Sequence, residues 1–251
     1  MRFSLVFKLI ENQVPLDIRP VVLSFFKRAL TKYDGGRYLA KYYGIGAKKP
    51  FTFALDLGKC SFTKEFIDLA DKKIILNFST SSSQTGIIFY NAFLSQKGKP
   101  FPLAMGNSIT LANVYMQKHK AIVSEQILCR FVAPLCLRKH EREGNKDYYL
   151  TWEDEIFNQE LVNTVKEQAK KLENWDNTEI KFEILSVRPK KTVVKHHGQS
   201  IPVTIGTFVL KSNISLLSEL YLSGIGSRKS AGFGYFNIIG QGGRAESWVE
   251  K

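Results

Sequence analysis

The chain has 251 residues, 44% of them hydrophobic and 24% charged, enough for one large core or for two domains of about 100 to 130 residues each. Its 36 Lys and Arg against 23 Asp and Glu give a net charge of +13, which points to a polyanionic partner. No apolar run approaches the roughly 18 residues that span a bilayer and no long basic amphipathic helix stands out, so nucleic acid is preferred to a membrane surface.

Cys60, Cys129 and Cys136 form no C-x-x-C pair, and His119, His140, His196 and His197 stand at no metal-ligand spacing with a carboxylate or thiolate. Neither a disulfide framework nor a zinc site is indicated, no metal and no cofactor is expected, and a reducing cytoplasm is the natural setting. Met1 to Leu16 shows no signal-peptide cleavage pattern and reads as a strand.

In chain order, Arg2 to Ile10 alternates and is rich in Phe, Val and Leu, as a first strand should be. Pro20 sits where a first helical turn tolerates proline. From there Val21, Val22, Phe25, Phe26, Ala29 and Leu30 recur at helical spacing, leaving Lys27, Arg28 and Lys32 for solvent or a ligand. That helix ends by Gly35-Gly36. Arg37 to Pro50 then mixes Tyr38, Tyr42, Tyr43, Lys48 and Lys49 on a backbone loosened by Gly44 and Gly46. Phe51 to Leu57 and Lys72 to Phe78 read as strands, Gln84 to Leu94 as a helix behind Ser81, Ser82 and Ser83, and Ile109 to Gln117 as a strand.

The same order recurs in the second half. Ile122 to Leu137 is strand-like, Glu153 to Leu172 helical, Ile180 to Val187 and Pro202 to Leu210 strand-like, and Ile214 to Leu222 helical, with a last strand from Tyr235 to Ile239. The predicted class is therefore α+β, two tandem ferredoxin-like (βαββαβ) units over 1–119 and 120–251, each with two helices on one face of an antiparallel sheet. A basic cleft between the units is the expected ligand site.

Before the last strand runs Gly224-Ile225-Gly226-Ser227-Arg228-Lys229-Ser230-Ala231-Gly232-Phe233-Gly234. Glycine permits positive φ and close backbone approach, so Gly224, Gly226, Gly232 and Gly234 are expected to present N–H groups, with Arg228 and Lys229, to a phosphate backbone. The plainer alternative is a helix end and a turn. A dinucleotide fingerprint would need a strand before the glycines and a helix after them, and the order here is reversed. A second basic cluster, Arg188 to Lys191 with Lys195 to Gln199, is either a solvated hairpin or an RNA contact through Lys190, Lys191, His196 and His197.

Two ferredoxin-like halves, the positive charge and G-x-G followed after five residues by G-F-G together resemble the CRISPR-associated endoribonucleases of the RAMP superfamily, which cut repeat RNA into guide RNAs. The opening Met1-Arg2-Phe3 and the later Phe51-Thr52-Phe53 fit as well. The resemblance implies an RRM-like fold and metal-independent cleavage, in which a ribose 2′-hydroxyl attacks the adjacent phosphate and leaves a 2′,3′-cyclic phosphate. It implies CRISPR repeat RNA and its precursor transcript as partners, and allows an effector complex and a homodimer. Many members carry a tyrosine on the first helix, then a histidine, then a lysine before the second strand. Here those positions fall on Lys27, on Tyr43 or Gly44, and on Lys49, and no histidine precedes His119. Lys27, Tyr43 and Lys49 are the catalytic candidates, with Lys48 beside them for phosphate and with a lowered Tyr43 pKa expected from the nearby cations. Against this stand core or stacking roles for the tyrosines and plain solvation for the lysines. The alternative function is a RAMP-type subunit that binds guide RNA without cutting it, or a basic RNA-binding protein of similar fold.

Overall fold

A computed structural model describes residues 1–141, 144, 146–170 and 180–242. In β1 (Arg2–Leu9), Phe3, Leu5, Phe7 and Leu9 alternate with Ser4, Val6 and Lys8, so one face of the strand is apolar throughout and all four apolar side chains are buried. After the short β2 (Gln13–Pro15) comes α1 (Ile18–Lys32), with Pro20 in its first turn, then the five-residue α2 (Leu39–Tyr43). The chain continues through β3 (Phe51–Asp56), β4 (Cys60–Phe62), β5 (Phe66–Leu69), β6 (Lys73–Thr80), α3 (Ser83–Leu94), β7 (Pro100–Pro102) and β8 (Ser108–Met116). Ser82 caps α3 by accepting the Thr85 N–H at 3.2 Å.

The main sheet of this unit has the order β3-β6-β1-β8-β7, and its first four strands are the antiparallel ferredoxin-like arrangement. Its core is aromatic. The Phe26 ring of α1 lies 5.2 Å from Phe53, 5.9 Å from Phe78, 5.8 Å from Phe89 and 5.0 Å from Phe93, centroid to centroid, and such pairs add about 0.5–1.5 kcal/mol each beyond area burial. β2, β5 and β4 form a small separate sheet that the sequence pattern does not foretell, since three or four residues carry almost no periodicity.

The second unit runs through β9 (Gln126–Phe131), β10 (Leu137–Glu141), β11 (Lys146–Leu150), α4 (Phe157–Ala169), β12 (Glu183–His196), β13 (Gln199–Lys211), α5 (Ile214–Ser223) and β14 (Phe236–Gln241). Its sheet, β12-β13-β9-β14, repeats the ferredoxin-like order, and Leu161 and Val165 of α4 with Leu216, Leu217 and Leu220 of α5 share its core with Phe208 and Phe236. The compact units are Met1–His119 with Lys195–Gln199 and Ser230–Gly232, and Lys120–Val194 with Ser200–Lys229 and Phe233–Lys251. No described helix is long and apolar enough to cross a membrane.

Three expected elements differ in extent. The strand expected over Ile122 to Leu137 stops at Phe131, because Val132 and Ala133 both donate to Tyr235 O, at 2.9 and 3.0 Å, and Pro134 has no N–H to continue the ladder. The helix expected from Glu153 starts at Phe157, because Asp154 Oδ2 accepts the Thr151 N–H at 2.7 Å and Oγ1 at 3.0 Å and holds a turn there; Leu172 lies outside the described residues. The basic cluster expected between two strands is part of the strands themselves. β12 and β13 continue through it to a two-residue tip at His197 (φ 50°) and Gly198 (φ 76°), the positive pair that matches a twisted hairpin.

Glycine is required most stringently at Gly234 (φ 70°), where a Cβ would overlap the Ile225 carbonyl. Gly234→Ala is expected to destabilise the protein by about 3 kcal/mol or more in urea unfolding, against about 1 kcal/mol for Gly35→Ala, whose φ of 65° is similar but whose surroundings are empty within 4 Å. Equal effects would show that only φ matters.

Candidate functional site

The three catalytic candidates come together in the first unit. Apolar residues of α1 face the core, which leaves Lys27 exposed. After α1 the chain turns through Gly35 and Gly36 into α2, where Tyr42 and Tyr43 take opposite roles. Tyr42 is buried against Phe89 and its hydroxyl bonds Thr85 Oγ1 at 3.1 Å, so it belongs to the core. The Tyr43 ring lies 5.3 Å from Lys27 Nζ and 4.9 Å from Lys49 Nζ, centroid to nitrogen. Lys48 is exposed beside them.

The Tyr43 hydroxyl oxygen is buried and has no hydrogen-bond partner among the described residues. Burial pushes its pKa up, opposite to the expected lowering. The physical reason is that the ammonium groups sit by the ring, where they meet its quadrupole, while desolvation acts on the oxygen and outweighs them. At neutral pH the group is a phenol, a donor and not a base.

In the second unit the glycine loop is turned inward, which corrects the expectation for its glycines. Gly224 caps α5 and donates to Leu220 O at 2.9 Å, Gly226 donates to Gln168 Oε1 at 3.1 Å, and Gly234 donates to Pro134 O at 2.8 Å. All three N–H groups are therefore committed within the protein and are not offered to a phosphate. A Cβ at Gly226 would come within 2.6 Å of Cys136 O and Leu135 Cδ1. Gly232, grouped with the first unit, is buried too: a Cβ there would lie 2.6 Å from Phe53 Cε2, and its carbonyl accepts Arg19 Nε at 3.2 Å.

The loop's cations differ from its glycines. Arg228 is partly exposed and takes φ 54°, a region few non-glycine residues occupy. Its Nη2 donates to Tyr149 Oη at 2.6 Å and lies 3.8 Å from Asp147 Oδ2. Lys229 is half-buried, with Nζ 3.5 Å from Ser223 Oγ.

On the β12–β13 hairpin, Lys190 is exposed and Lys191 pairs with Glu153 at 2.8 Å, which raises the lysine pKa. An exposed pair of this kind contributes little and can exchange partners. His197 is exposed, but His196 is buried edge-on against it at 4.5 Å, so the expected RNA contact is not open to that ring.

A further charged group lies outside the residues expected from sequence. Asp147 on β11 meets His140 Nδ1 at 2.9 Å through Oδ1 and Arg138 Nη1 at 2.9 Å through Oδ2, and hydrogen bonds from His140 and then Arg138 hold its carboxyl below the usual range. The run of three consecutive basic residues, Arg138-Lys139-His140, was the available signal.

Residues 116–238 match the family model described as CRISPR associated protein Cas6, C-terminal. That segment of the chain is similar to the Cas6 C-terminal region. The Cas6-type fold also appears in solved structures. One, titled "CRISPR associated protein Cas6", is 20% identical with a TM-score of 0.74 over 96% of this chain and 99% of that one. A second, titled "An RAMP protein binding different RNA substrates", is 18% identical with a TM-score of 0.81 over 96% and 100%. A third, from a Cas6-related gene of Pyrococcus furiosus, is 17% identical with a TM-score of 0.78 over 96% and 99%. No curated protein matches the sequence.

Tyr43→Phe removes a buried hydroxyl without a protein partner and is expected to leave the stability of the free protein unchanged or raise it by about 1 kcal/mol. The folded phenol has the higher pKa, so its contribution is complete below about pH 10 and is lost as pH rises beyond it. Urea unfolding of both proteins at neutral and alkaline pH checks this, with wild type expected to lose ground to the variant only on the alkaline side.

Proposed function

We propose that this chain binds CRISPR repeat RNA and cuts its precursor transcript at one phosphodiester without a metal ion. The observation that carries the reading is the grouping of Lys27 and Lys49 around the ring of Tyr43, with a buried, unpartnered hydroxyl. Two ammonium groups at one ring repel each other, and the ring returns only about 0.5–1 kcal/mol per cation. An anion is the natural third partner, and a phosphodiester supplies both charge for the lysines and an acceptor for the phenol.

In the reaction the ribose 2′-oxygen forms a bond to phosphorus, its proton passes to solvent, the P–O5′ bond breaks, and the leaving 5′-oxygen takes up a proton. Lys49 and Lys27 stabilise the charge on the phosphorane, and Tyr43, a neutral phenol, donates to a phosphate oxygen or to the leaving oxygen. No histidine precedes His119, so the base that typically contributes about 10²–10⁴ in rate is absent from the position family members use. Arg228, Lys229, Lys48, Lys190 and His197 hold the RNA. Specificity comes from RNA shape and phosphates, because the A-form major groove is hard to read.

The raised Tyr43 pKa favours a second reading, a RAMP-type subunit that holds guide RNA without cutting it. Incubation of pure protein with repeat RNA in EDTA separates the two. A single cut ending in a cyclic phosphate supports the nuclease, and binding without a cut supports the subunit. Lys49→Ala is expected to slow cleavage by about 10²-fold or more while changing affinity far less, as for loss of one charge-stabilising donor. An unchanged rate removes Lys49 from the chemistry. Arg228→Ala with Lys229→Ala is expected to flatten the dependence of log Kd on log salt by roughly 0.7 for each phosphate that is no longer engaged; an unaltered slope would make the loop a structural turn only.

A further inference from the structure

The β10–β11 hairpin is a two-stranded sheet of its own, and its two faces carry different charge arrangements. Register pairs Arg138 with Tyr149 and His140 with Asp147 on one face, and Lys139 with Tyr148 and Glu141 with Lys146 on the other. On the second face Lys139 is occupied by Glu160 at 3.1 Å. On the first, Arg228 of the glycine loop joins the hairpin through Tyr149 and Asp147.

That first face has a specific geometry. His140 takes Asp147 Oδ1, so both guanidinium groups converge on Oδ2, Arg138 at 2.9 Å and Arg228 at 3.8 Å. One carboxylate faces two full positive charges, which leaves the cluster cationic whatever the state of the imidazole. A guanidinium has five N–H donors in a planar fork suited to phosphate, and the Asp147 contact engages one terminal nitrogen of each. Arg228 Nε is in addition buried with no partner among the described residues. Asp147 thus orients two forks without neutralising both.

The geometry points to this face as a second phosphodiester-binding site, in which Arg138, held by Asp147, grips the RNA backbone beside Arg228. The inference rests on the proposed RNA-binding function and extends it to residues outside the predicted site. The ligand is an RNA backbone and not an acidic peptide, because paired forks on a chain of net charge +13 suit a repeating phosphate and its counterion release.

Binding of repeat RNA, followed by fluorescence anisotropy across a salt series, tests it with two variants that each remove one positive charge from opposite faces. Arg138→Ala is expected to weaken binding roughly tenfold and to lower the salt slope by about 0.7, and Lys139→Ala to weaken it less than about twofold. Arg138→Lys should restore the slope and part of the affinity, which a merely structural role would not predict. Equal losses from Arg138→Ala and Lys139→Ala would reduce the effect to net charge and overturn the site. A wild type that binds RNA with an Arg138→Ala variant that binds as well would overturn this inference alone, and a wild type that binds no RNA would overturn the parent reading with it.

Discussion

Backbone lies against backbone where Gly234 meets Ile225, with the Ile225 N–H donating to Gly234 O at 3.1 Å and no room for a side chain between them. The loop around Arg228 is built outward from that contact. Gly226 approaches Cys136 in the same manner, and Ser227 donates its N–H to Cys136 O at 2.7 Å while its hydroxyl accepts the Arg138 N–H at 3.0 Å. A buried N–H left unmade would cost about 1–3 kcal/mol, so the loop has little freedom to open. Arg228 is consequently delivered at a fixed place, with its unusual φ held by what lies on either side. The glycines serve the cation by letting the chain close beneath it.

Cations are gathered in two different ways. Around Tyr43 the lysines share a neutral ring, which attracts each weakly and leaves their mutual repulsion in place. Around Asp147 the guanidinium groups share a carboxylate, which offsets most of that repulsion and fixes their planes. The first arrangement has no carboxylate among its charges and sets two ammonium groups beside a buried, unpartnered phenol, so it suits a group whose negative charge grows during reaction. The second suits a ligand whose charge is constant. Under the proposed function, chemistry and grip are therefore assigned to different clusters by their electrostatics.

Long elements were legible in the sequence because their periodicity is unambiguous. Phe3, Leu5 and Phe7 repeat every second residue, and Val22, Phe25, Phe26 and Ala29 follow the helical period, so both ferredoxin-like orders could be read from pattern. Strands of three or four residues, such as Cys60–Phe62, could not. The hairpin of β10 and β11 was missed for another reason: it is mostly polar or charged on both faces, and an apolar search passes over it. The glycine motif announced positive φ and close approach, but protein backbone meets both conditions as readily as phosphate does, and the direction in which the loop faces depends on Cys136, Gln168 and Pro134, far away in sequence. Likewise Tyr43, Lys27 and Lys49 could be aligned, but whether the lysines lie by the ring or the oxygen is a matter of packing.

That difference between ring and oxygen bears on how, under the proposed function, a chain without an early histidine could still act. A tyrosine serving as base would need its proton removed before RNA arrives, and burial opposes this because it penalises the anion. The same burial keeps the hydroxyl protonated, which is what a donor to a leaving oxygen requires. Loss of the base forfeits about 10²–10⁴ in rate, but the 2′-oxygen is already tethered to the phosphorus it attacks, so holding it in line with the leaving group assists a reaction that is intramolecular from the start. Under the proposed function, the environment that excludes Tyr43 as a base is therefore compatible with cleavage in which it acts as the acid, with the two lysines beside its ring meeting the phosphate charge.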